Sequence, residues 1–409
     1  MYNKCVKKKV CIFGGTFDPP HLAHAEIIEQ AKSQLNADLV IVVPCGQPVH
    51  KDCSVQAKDR LEMSRLAFSH LPKTVVSDYE IKKREKSYTL HTLRYFKSKY
   101  KRAEELFFII GSDSLEEFPT WYKPEEIAKL AKIVVVPRAN HDFRKAKQFF
   151  EKNYKSKPIV LKNEPTNVSA TELRIMTEFG LDTSQFLKQE VIDYIEENKL
   201  YTGYSDICRK AKEYLKSDRL THTVYTVHEG LKLAKRTDAD ADKVFLACAL
   251  HDIGKSIHRK DWLSFGFTNA QNLPEGIIHA ELGAVMAERV FGITDEVVLN
   301  AIRYHTTARP GMAIEEKIVY AADMVEISRS GMDELRAKVE SDFDNGFLSC
   351  LKISYNFAVS EHGAENVHSL TKKSITYYRK ELREKNEKAR EKARTDNADL
   401  QSADGKAGV

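Results

Sequence analysis

Two histidines three residues apart, His21 and His24, close the run I-F-G-G-T-F-D-P-P-H-L-A-H over residues 12–24. An apolar stretch from Val10 to Phe13 enters this run and a helical pattern leaves it. Gly14 and Gly15 let the backbone approach a ligand with no Cβ in the way. Asp18-Pro19-Pro20 forces an extended exit and pre-sets the start of a helix. Both imidazoles then fall on the first helical turn, beside unpaired backbone N–H groups that favour an anion. Strand, glycine turn (with Thr16 and Phe17 in it) and a helix start bearing two imidazoles suit the handling of phosphate. The competing reading is a glycine turn with two incidental surface histidines.

Further residues fall at the ends of other apolar runs. P-C-G-Q-P-V-H-K (Pro44–Lys51) is followed by Arg60 in a helical pattern. I-I-G-S-D-S-L-E-E-F-P-T-W-Y places Gly111, Asp113 and Trp121 near one edge. A carboxylate just past a glycine can accept from ribose hydroxyls, and a tryptophan can stack on a planar ring or serve as a rim aromatic. N-V-S-A-T-E-L-R starts a helix in which Ser169 and Thr171 can cap or donate to phosphate and Arg174 adds a planar charged fork. A capped helix with a surface arginine is the plainer alternative.

A second set lies downstream: His222, the adjacent His251-Asp252, His279, His305 and Asp323. The steps are 29, 27, 26 and 18 residues, each about one helix and a return, so successive helices can each point one ligand inward. His251-Asp252 follows the all-apolar V-F-L-A-C-A-L, and a buried His-Asp pair is costly unless a metal or hydrogen bonds satisfy it. Imidazoles with carboxylates suit a two-metal site of iron, manganese or similar ions, cobalt included, rather than structural zinc. Lys255 and Arg309 stand where spacing allows phosphate contacts. Any single histidine of the set could instead be a satisfied helix residue.

The elements that must position these residues change in texture near residue 203. Before it, apolar runs at Lys9–Phe13, Leu39–Val43, Thr74–Val76, Leu106–Ile110, Ile133–Val136 and Pro158–Leu161 read as strands. Between them Leu22–Leu35, Ala57–Ser69, Thr89–Tyr100 and Pro124–Ala131 read as helices. This alternation predicts an α/β unit with a parallel sheet and its ligand at the carboxyl ends of the strands. A GxGxxG fingerprint is absent, which removes the main support for a dehydrogenase. After Thr202-Gly203 long helical periodicities predict an all-α unit. The expected domains are residues 1–203 and 204–380, with 381–409 a charged helix fraying into a disordered tail.

Composition narrows the classes. With 409 residues, 42% hydrophobic and 30% charged, the chain has material for two or three cored domains. The net charge of +5 suits anionic small molecules without demanding nucleic acid. Acidic residues interleaved among the terminal lysines and arginines argue against a nucleic-acid arm. No apolar run is long enough to span a bilayer, and the first one stops at Gly14, too early for a secretory segment. Seven cysteines with no CxxC pair point to a reducing compartment, and the expected location is cytoplasmic.

The GGTFDPPHLAH run resembles the (H/T)xxH signature of the nucleotidyltransferases, and V-S-A-T-E-L-R resembles their late S/T-x-x-x-R phosphate motif. With P-V-H-K, S-Y-T (Ser87–Thr89) and G-S-D-S-L…P-T-W-Y, residues 8 to about 202 look like a nicotinate-mononucleotide adenylyltransferase. That resemblance implies a Rossmann-like fold and the reaction of ATP with nicotinate mononucleotide to deamido-NAD and pyrophosphate, with Mg²⁺. It further implies that His21, His24 and Arg174 stabilise phosphate charge and that Gly14, Gly15, Thr16, Phe17, Lys51, Gly111, Asp113, Ser169 and Thr171 contact nucleotide. Trp121 with Tyr88 and Thr89 would form the nicotinate pocket. Ala23 and Ala170 stand where this family usually has glycine and serine.

T-H-T-V-Y-T-V, A-L-H-D-I-G-K, I-I-H-A-E-L-G-A and Y-H-T-T-A-R-P-G-M…E-K-I-V-Y-A-A-D-M-V-E resemble the HD-domain phosphohydrolases. More narrowly they look like the YqeK-type symmetrical diadenosine-tetraphosphate hydrolases, over residues 206 to 378. The resemblance implies His222, His251, Asp252 and Asp323 on one metal, and His279, His305 and a bridging Asp252 on the other. Ala308 stands where that family usually has glycine. The expected partners are ATP, nicotinate mononucleotide and diadenosine tetraphosphate, with no membrane and a homo-oligomer left open. Two alternatives stand beside this reading: another acceptor such as nicotinamide mononucleotide, and an HD unit that senses or processes a different nucleotide.

Overall fold

The computed structural model describes residues 8–48, 53–83, 85–101, 103–138, 142–162, 166, 168–268 and 273–404, with side chains through Lys392. Lys51 therefore lies outside the described residues. Contacts divide the chain between Ser205 and Asp206.

Six strands, β1 (Lys8–Gly15), β2 (Leu39–Pro44), β3 (Thr74–Val76), β4 (Ala103–Gly111), β5 (Lys132–Val136) and β6 (Ile159–Val160), form one sheet in the order β3-β2-β1-β4-β5-β6. Every pairing is parallel. Successive strand residues point to opposite faces, so each strand feeds two cores. Cys11, Phe13, Val40, Val42, Phe107, Ile109, Val134 and Val136 enter one. Val10, Ile12, Ile41, Val43, Phe108, Ile110, Ile133 and Val135 enter the other. Burial on both faces is why these strands read as continuous apolar runs rather than as alternating ones.

Nine helices cover the sheet: α1 (Leu22–Leu35), α2 (Ala57–Phe68), α3 (Tyr79–Lys82), α4 (Thr89–Lys99), α5 (Ser112–Glu117), α6 (Pro124–Leu130), α7 (Arg144–Tyr154), α8 (Ala170–Glu178) and α9 (Gln189–Glu197), among the described residues. Ile28, Met63, Phe68, Leu173 and Val191 place α1, α2, α8 and α9 on the first core. Leu90, Phe96, Leu115, Ile127 and Phe150 place α4 to α7 on the second. The chain leaves β1 in one direction across the sheet and returns through β4 in the other. The crevice opens where the order reverses, between the carboxyl ends of β1 and β4.

The second unit is helical: α10 (Ser205–Lys212), α11 (Ser217–Thr237), α12 (Ala241–Leu250), α13 (Glu275–Arg289), α14 (Glu296–Tyr304), α15 (Ile314–Val325), α16 (Asp333–Ser341), α17 (Phe343–His362) and α18 (Ser369–Asp404). The apolar α12 packs against α11, α14 and α15, burying Val244, Phe245, Ala247, Cys248, Ala249 and Leu250. The charged segment after residue 381 continues α18, which runs through Asp404. Ion pairs one turn apart, Lys380–Glu384 and Arg383–Glu387, support it where apolar packing ends. Among the described residues no helix is long and apolar enough to cross a membrane.

Candidate active sites

In the first unit the glycine turn ends β1 and His21 is the residue before α1, in extended conformation. Its backbone N–H donates to Nδ1 of His24 at 3.1 Å, and the two rings lie 3.7 Å apart. His24 Nδ1 is thus an acceptor, which leaves Nε2 to carry the proton. Nδ1 of His21 is buried without a hydrogen-bond partner among the described residues. Burial, helped by the positive Arg138 nearby, lowers the His21 pKa to about 4. Burial and the neighbouring His21 hold His24 well below the usual imidazole range. Two neutral imidazoles, one with an unmet ring nitrogen, are arranged to receive a ligand rather than to complete the core.

Arginines frame this pair. Arg174 donates from Nη1 to the carbonyl oxygen of Asp18 at 2.6 Å and from Nη2 to Thr171 Oγ1 at 3.0 Å, which holds its fork beside the opening loop. The Asp18 carboxylate accepts from the backbone N–H of Ser54 and the hydroxyl of Tyr201, each at 2.7 Å. Arg60 is 1% exposed and donates to the carbonyl oxygens of Thr16 at 2.8 Å and Gly46 at 3.1 Å. It joins the loops that follow β1 and β2.

Across the crevice Gly111 ends β4. A Cβ there would lie 2.3 Å from Asp113 Oδ1, so only glycine lets that carboxylate fold back over the strand end. Arg138, just past β5, lies 3.3 Å from the same oxygen through Nε. Ser169 caps α8 by accepting from the Glu172 N–H at 3.0 Å. The Phe17 ring packs on Phe13, Phe68 and the edge of His24, so this residue supports His24 from within the core. Tyr88 precedes α4, which Thr89 begins, and its ring meets Tyr122 and His91. Trp121 packs against Phe108 and Phe118.

In the second unit six residues converge from α11, α13 and α15 and from the turns that follow α12 and α14. His222, His251 and Asp323 form one trio and Asp252, His279 and His305 a second, each with ligand atoms within 4.8 Å of one another. Asp252 serves both sides. Its Oδ1 lies 3.4 Å from His279 Nε2 and 3.6 Å from His305 Nε2, and its Oδ2 lies 3.7 Å from His251 Nε2. The Nδ1 atoms of His251 and His305 meet the carbonyl oxygens of Cys248 and Ile302, both at 2.7 Å, which leaves Nε2 to present a lone pair inward. His222 Nδ1 is held by Glu326 at 3.1 Å while its Nε2 faces Asp323 at 2.9 Å. The Nε2 atoms of His279 and His305 are 3.2 Å apart, and those of His222 and His251 3.3 Å. Lone pairs that close repel unless a proton or cation lies between them, so the donor set fits two divalent ions.

Electrostatics support this. Burial drives His251 down to about 4 and His279 to about 3, the neutral state a metal ligand requires. Burial opposes the charge on Asp252 and Asp323, yet facing imidazoles hold both carboxyls well below their usual range. Burial also opposes the His222 cation, but Asp323 and Glu326 outweigh it and raise its pKa to about 9. A Cβ on Gly254 would lie 2.4 Å from the His279 carbonyl oxygen, so the H-D-I-G turn packs on α13 only because this position is glycine. Lys255 Nζ and Arg219 Nη1 lie 3.4 and 3.5 Å from Asp252 Oδ2. Arg309, which spacing alone offers to phosphate, directs its fork to the buried Glu316 at 2.6 and 2.9 Å. Ala308 takes a left-handed backbone (φ 56°), which explains a preference for glycine there.

The Cytidylyltransferase-like family matches residues 12–175 and the HD domain family residues 219–327. The chain is 38% identical over 195 residues to the probable nicotinate-nucleotide adenylyltransferase of Albidiferax ferrireducens, covering 98% of that protein and 47% of this one. The chain belongs to the nicotinate-nucleotide adenylyltransferase family. It carries an HD domain behind its adenylyltransferase unit. A Mycoplasma genitalium protein named probable nicotinate-nucleotide adenylyltransferase/Ap4A hydrolase is 28% identical over 365 residues, 86% of this chain and 99% of that one. A solved HD-superfamily hydrolase of Clostridium acetobutylicum is 29% identical, with TM-score 0.38, covering 42% of this chain and 97% of that one.

Relative to its family, the adenylyltransferase unit buries Ala23 on the inner face of α1 and has Ala170 at the first position of α8. Ala23 lies between His21 and His24 in the chain and turns into the core, and Ala170 starts the helix that carries Arg174. Sequence reasoning missed the roles of Arg60, Arg138, Arg219 and Glu326. A position just past the carboxyl end of β5 marks Arg138, and one-turn spacing marks Arg219 beside His222 and Glu326 beside Asp323. The contact of Arg60 with Thr16 has no local signal.

Proposed function

We propose that this member of the nicotinate-nucleotide adenylyltransferase family carries two activities. The first unit transfers the adenylyl group of ATP to nicotinate mononucleotide, giving deamido-NAD and pyrophosphate. An oxygen of the mononucleotide's phosphate bonds to the α-phosphorus of ATP as the bond to the α–β bridging oxygen breaks, and pyrophosphate leaves with the electron pair. The nucleophile is already anionic, so positioning and charge neutralisation carry the step. His24, proton on Nε2, donates to the transferring phosphate, and the unmet Nδ1 of His21 bonds beside it. Arg174 and Arg138 neutralise the departing pyrophosphate. Asp113 accepts from ribose, while Trp121, Tyr88 and Thr89 border the nicotinate ring. Mg²⁺ enters on the phosphates of ATP.

The second unit hydrolyses diadenosine tetraphosphate to two ADP: water adds to a central phosphorus as the middle P–O–P bond breaks. His222, His251 and Asp323 would hold one divalent cation and Asp252, His279 and His305 a second, iron first on this donor set and manganese or cobalt next; such ions would supply charge neutralisation and a water of lowered pKa. Glu326 orients His222, and Lys255 with Arg219 bonds the substrate's phosphates.

The observation that carries the reading is the placement of a neutral, ligand-seeking histidine pair at the β1–β4 crevice in one unit and of Asp252 between two ligand trios in the other. The test is chromatography of products from the full chain given ATP with nicotinate mononucleotide, nicotinamide mononucleotide or phosphopantetheine, and separately given diadenosine tetraphosphate with each metal. Deamido-NAD as the dominant first product and ADP as the sole second product are expected. Preference for another acceptor, or no hydrolysis with any metal, would overturn the corresponding half.

A further inference from the structure

The helical unit contains a basic cavity that the two activities do not use. It is an open groove of about 360 Å³ between helices α17 and α18, and Lys352, Asn356, Thr376 and Arg379 on its walls are exposed to solvent. Lys352 from α17 and Arg379 from α18 line it together with Lys372, while Tyr355, Asn356 and Thr376 supply an aromatic face, an amide and a hydroxyl. Among the described residues no carboxylate lines it. Lys372 and Arg379 are two helical turns apart, so the cations spread over about 10 Å.

Some cations of this hairpin are paired with carboxylates, Lys380 with Glu384, Arg383 with Glu387 and Lys385 with Asp344. Lys352, Lys372 and Arg379 have no ion pair among the described residues. The nearest recorded partner of Lys372 is a backbone oxygen, that of Glu365 at 3.3 Å. Three unneutralised cations around one cavity repel each other, and a bound anion removes that repulsion while satisfying their donors. The spread exceeds a single phosphate and matches a chain of them.

We infer that the α17–α18 cavity is a binding site for a linear polyphosphate, free or as the tail of a nucleotide, separate from both catalytic centres. Lys352 and Arg379 grip one end, Lys372 the other, and Asn356 and Thr376 bond the oxygens between.

The test is lysine footprinting of the metal-loaded full chain by acetylation and mass spectrometry, with inorganic tripolyphosphate, ATP, or a single-stranded oligonucleotide. Tripolyphosphate should protect Lys352 and Lys372 while Lys373, on the neighbouring face, labels unchanged; protection by ATP as well would show that a nucleoside is accommodated. The Lys352→Gln/Arg379→Gln variant should keep both basal activities and need at least about tenfold more tripolyphosphate for the same protection of Lys372, the loss expected for one charge-assisted bond. Equal labelling with and without tripolyphosphate would overturn the proposal, as would protection by the oligonucleotide alone, which would make the hairpin a nucleic-acid surface.

Discussion

Arg60 donates to the carbonyl oxygen of Thr16 at 2.8 Å across 44 residues of chain, and its second Nη reaches Gly46. One buried guanidinium thereby sets the spacing of two loops at the carboxyl edge of the sheet. Lysine cannot reproduce a two-pronged bond. Arg60→Lys should leave one carbonyl without its donor, cost about 1–3 kcal/mol of stability, and lower adenylyl transfer. Calorimetry and steady-state kinetics check this, and diadenosine-tetraphosphate hydrolysis should hold. A variant with unchanged stability and unchanged kcat/KM would show that the loops keep their spacing without it.

The histidine pair predicts proton-linked anion binding. His21 has its pKa lowered from 6.5 to about 4, so it is neutral in the free protein at pH 5 to 7. A bound pyrophosphate favours the cation and raises that pKa. Binding should therefore take up protons, and affinity should rise as pH falls from 6.5 towards 4. Calorimetry at pH 6 in two buffers of different ionisation enthalpy reads the uptake, which should shrink in His21→Asn. Proton release on binding would contradict the assignment.

The two units should be separable. Asp252→Asn removes a charge from the residue that faces both trios, so metal content and diadenosine-tetraphosphate hydrolysis should fall by orders of magnitude. Adenylyl transfer should stay within about twofold, because the two sites are built from separate units with no residue in common. His251→Ala gives a second check through metal analysis. Loss of both activities in a folded variant would refute independent sites.

Metal-free protein should lose stability as pH rises. His222 has a folded pKa near 9 against 6.5 when unfolded, so its contribution is complete below pH 6.5 and lost as pH climbs through 9. The size is about 3 kcal/mol from this group alone. Denaturant titrations of chelator-treated protein at pH 6.5 and 9 measure it, and Glu326→Gln should reduce the slope. A stability that rises over this window would show that His222 is neutral in the free protein.

Local pattern settled the parts whose physics is local. Unbroken apolar runs marked strands buried on both faces, the glycine-proline turn placed His21 and His24 at a helix start, and one-helix spacing set His222, His251, Asp252, His279, His305 and Asp323 on, or just past the ends of, successive helices. Only the tertiary structure decided what long polar side chains reach. Arg60 joins Thr16 to Gly46, Tyr201 meets Asp18, Asp252 turns one oxygen to each trio, and Arg309 is taken by Glu316 while Arg219 stands beside Asp252. These bonds end on backbone carbonyls or on carboxylates brought near by the packing of distant helices and strands. Residue type states that such a group needs a partner, but spacing along the chain does not say which one the fold supplies.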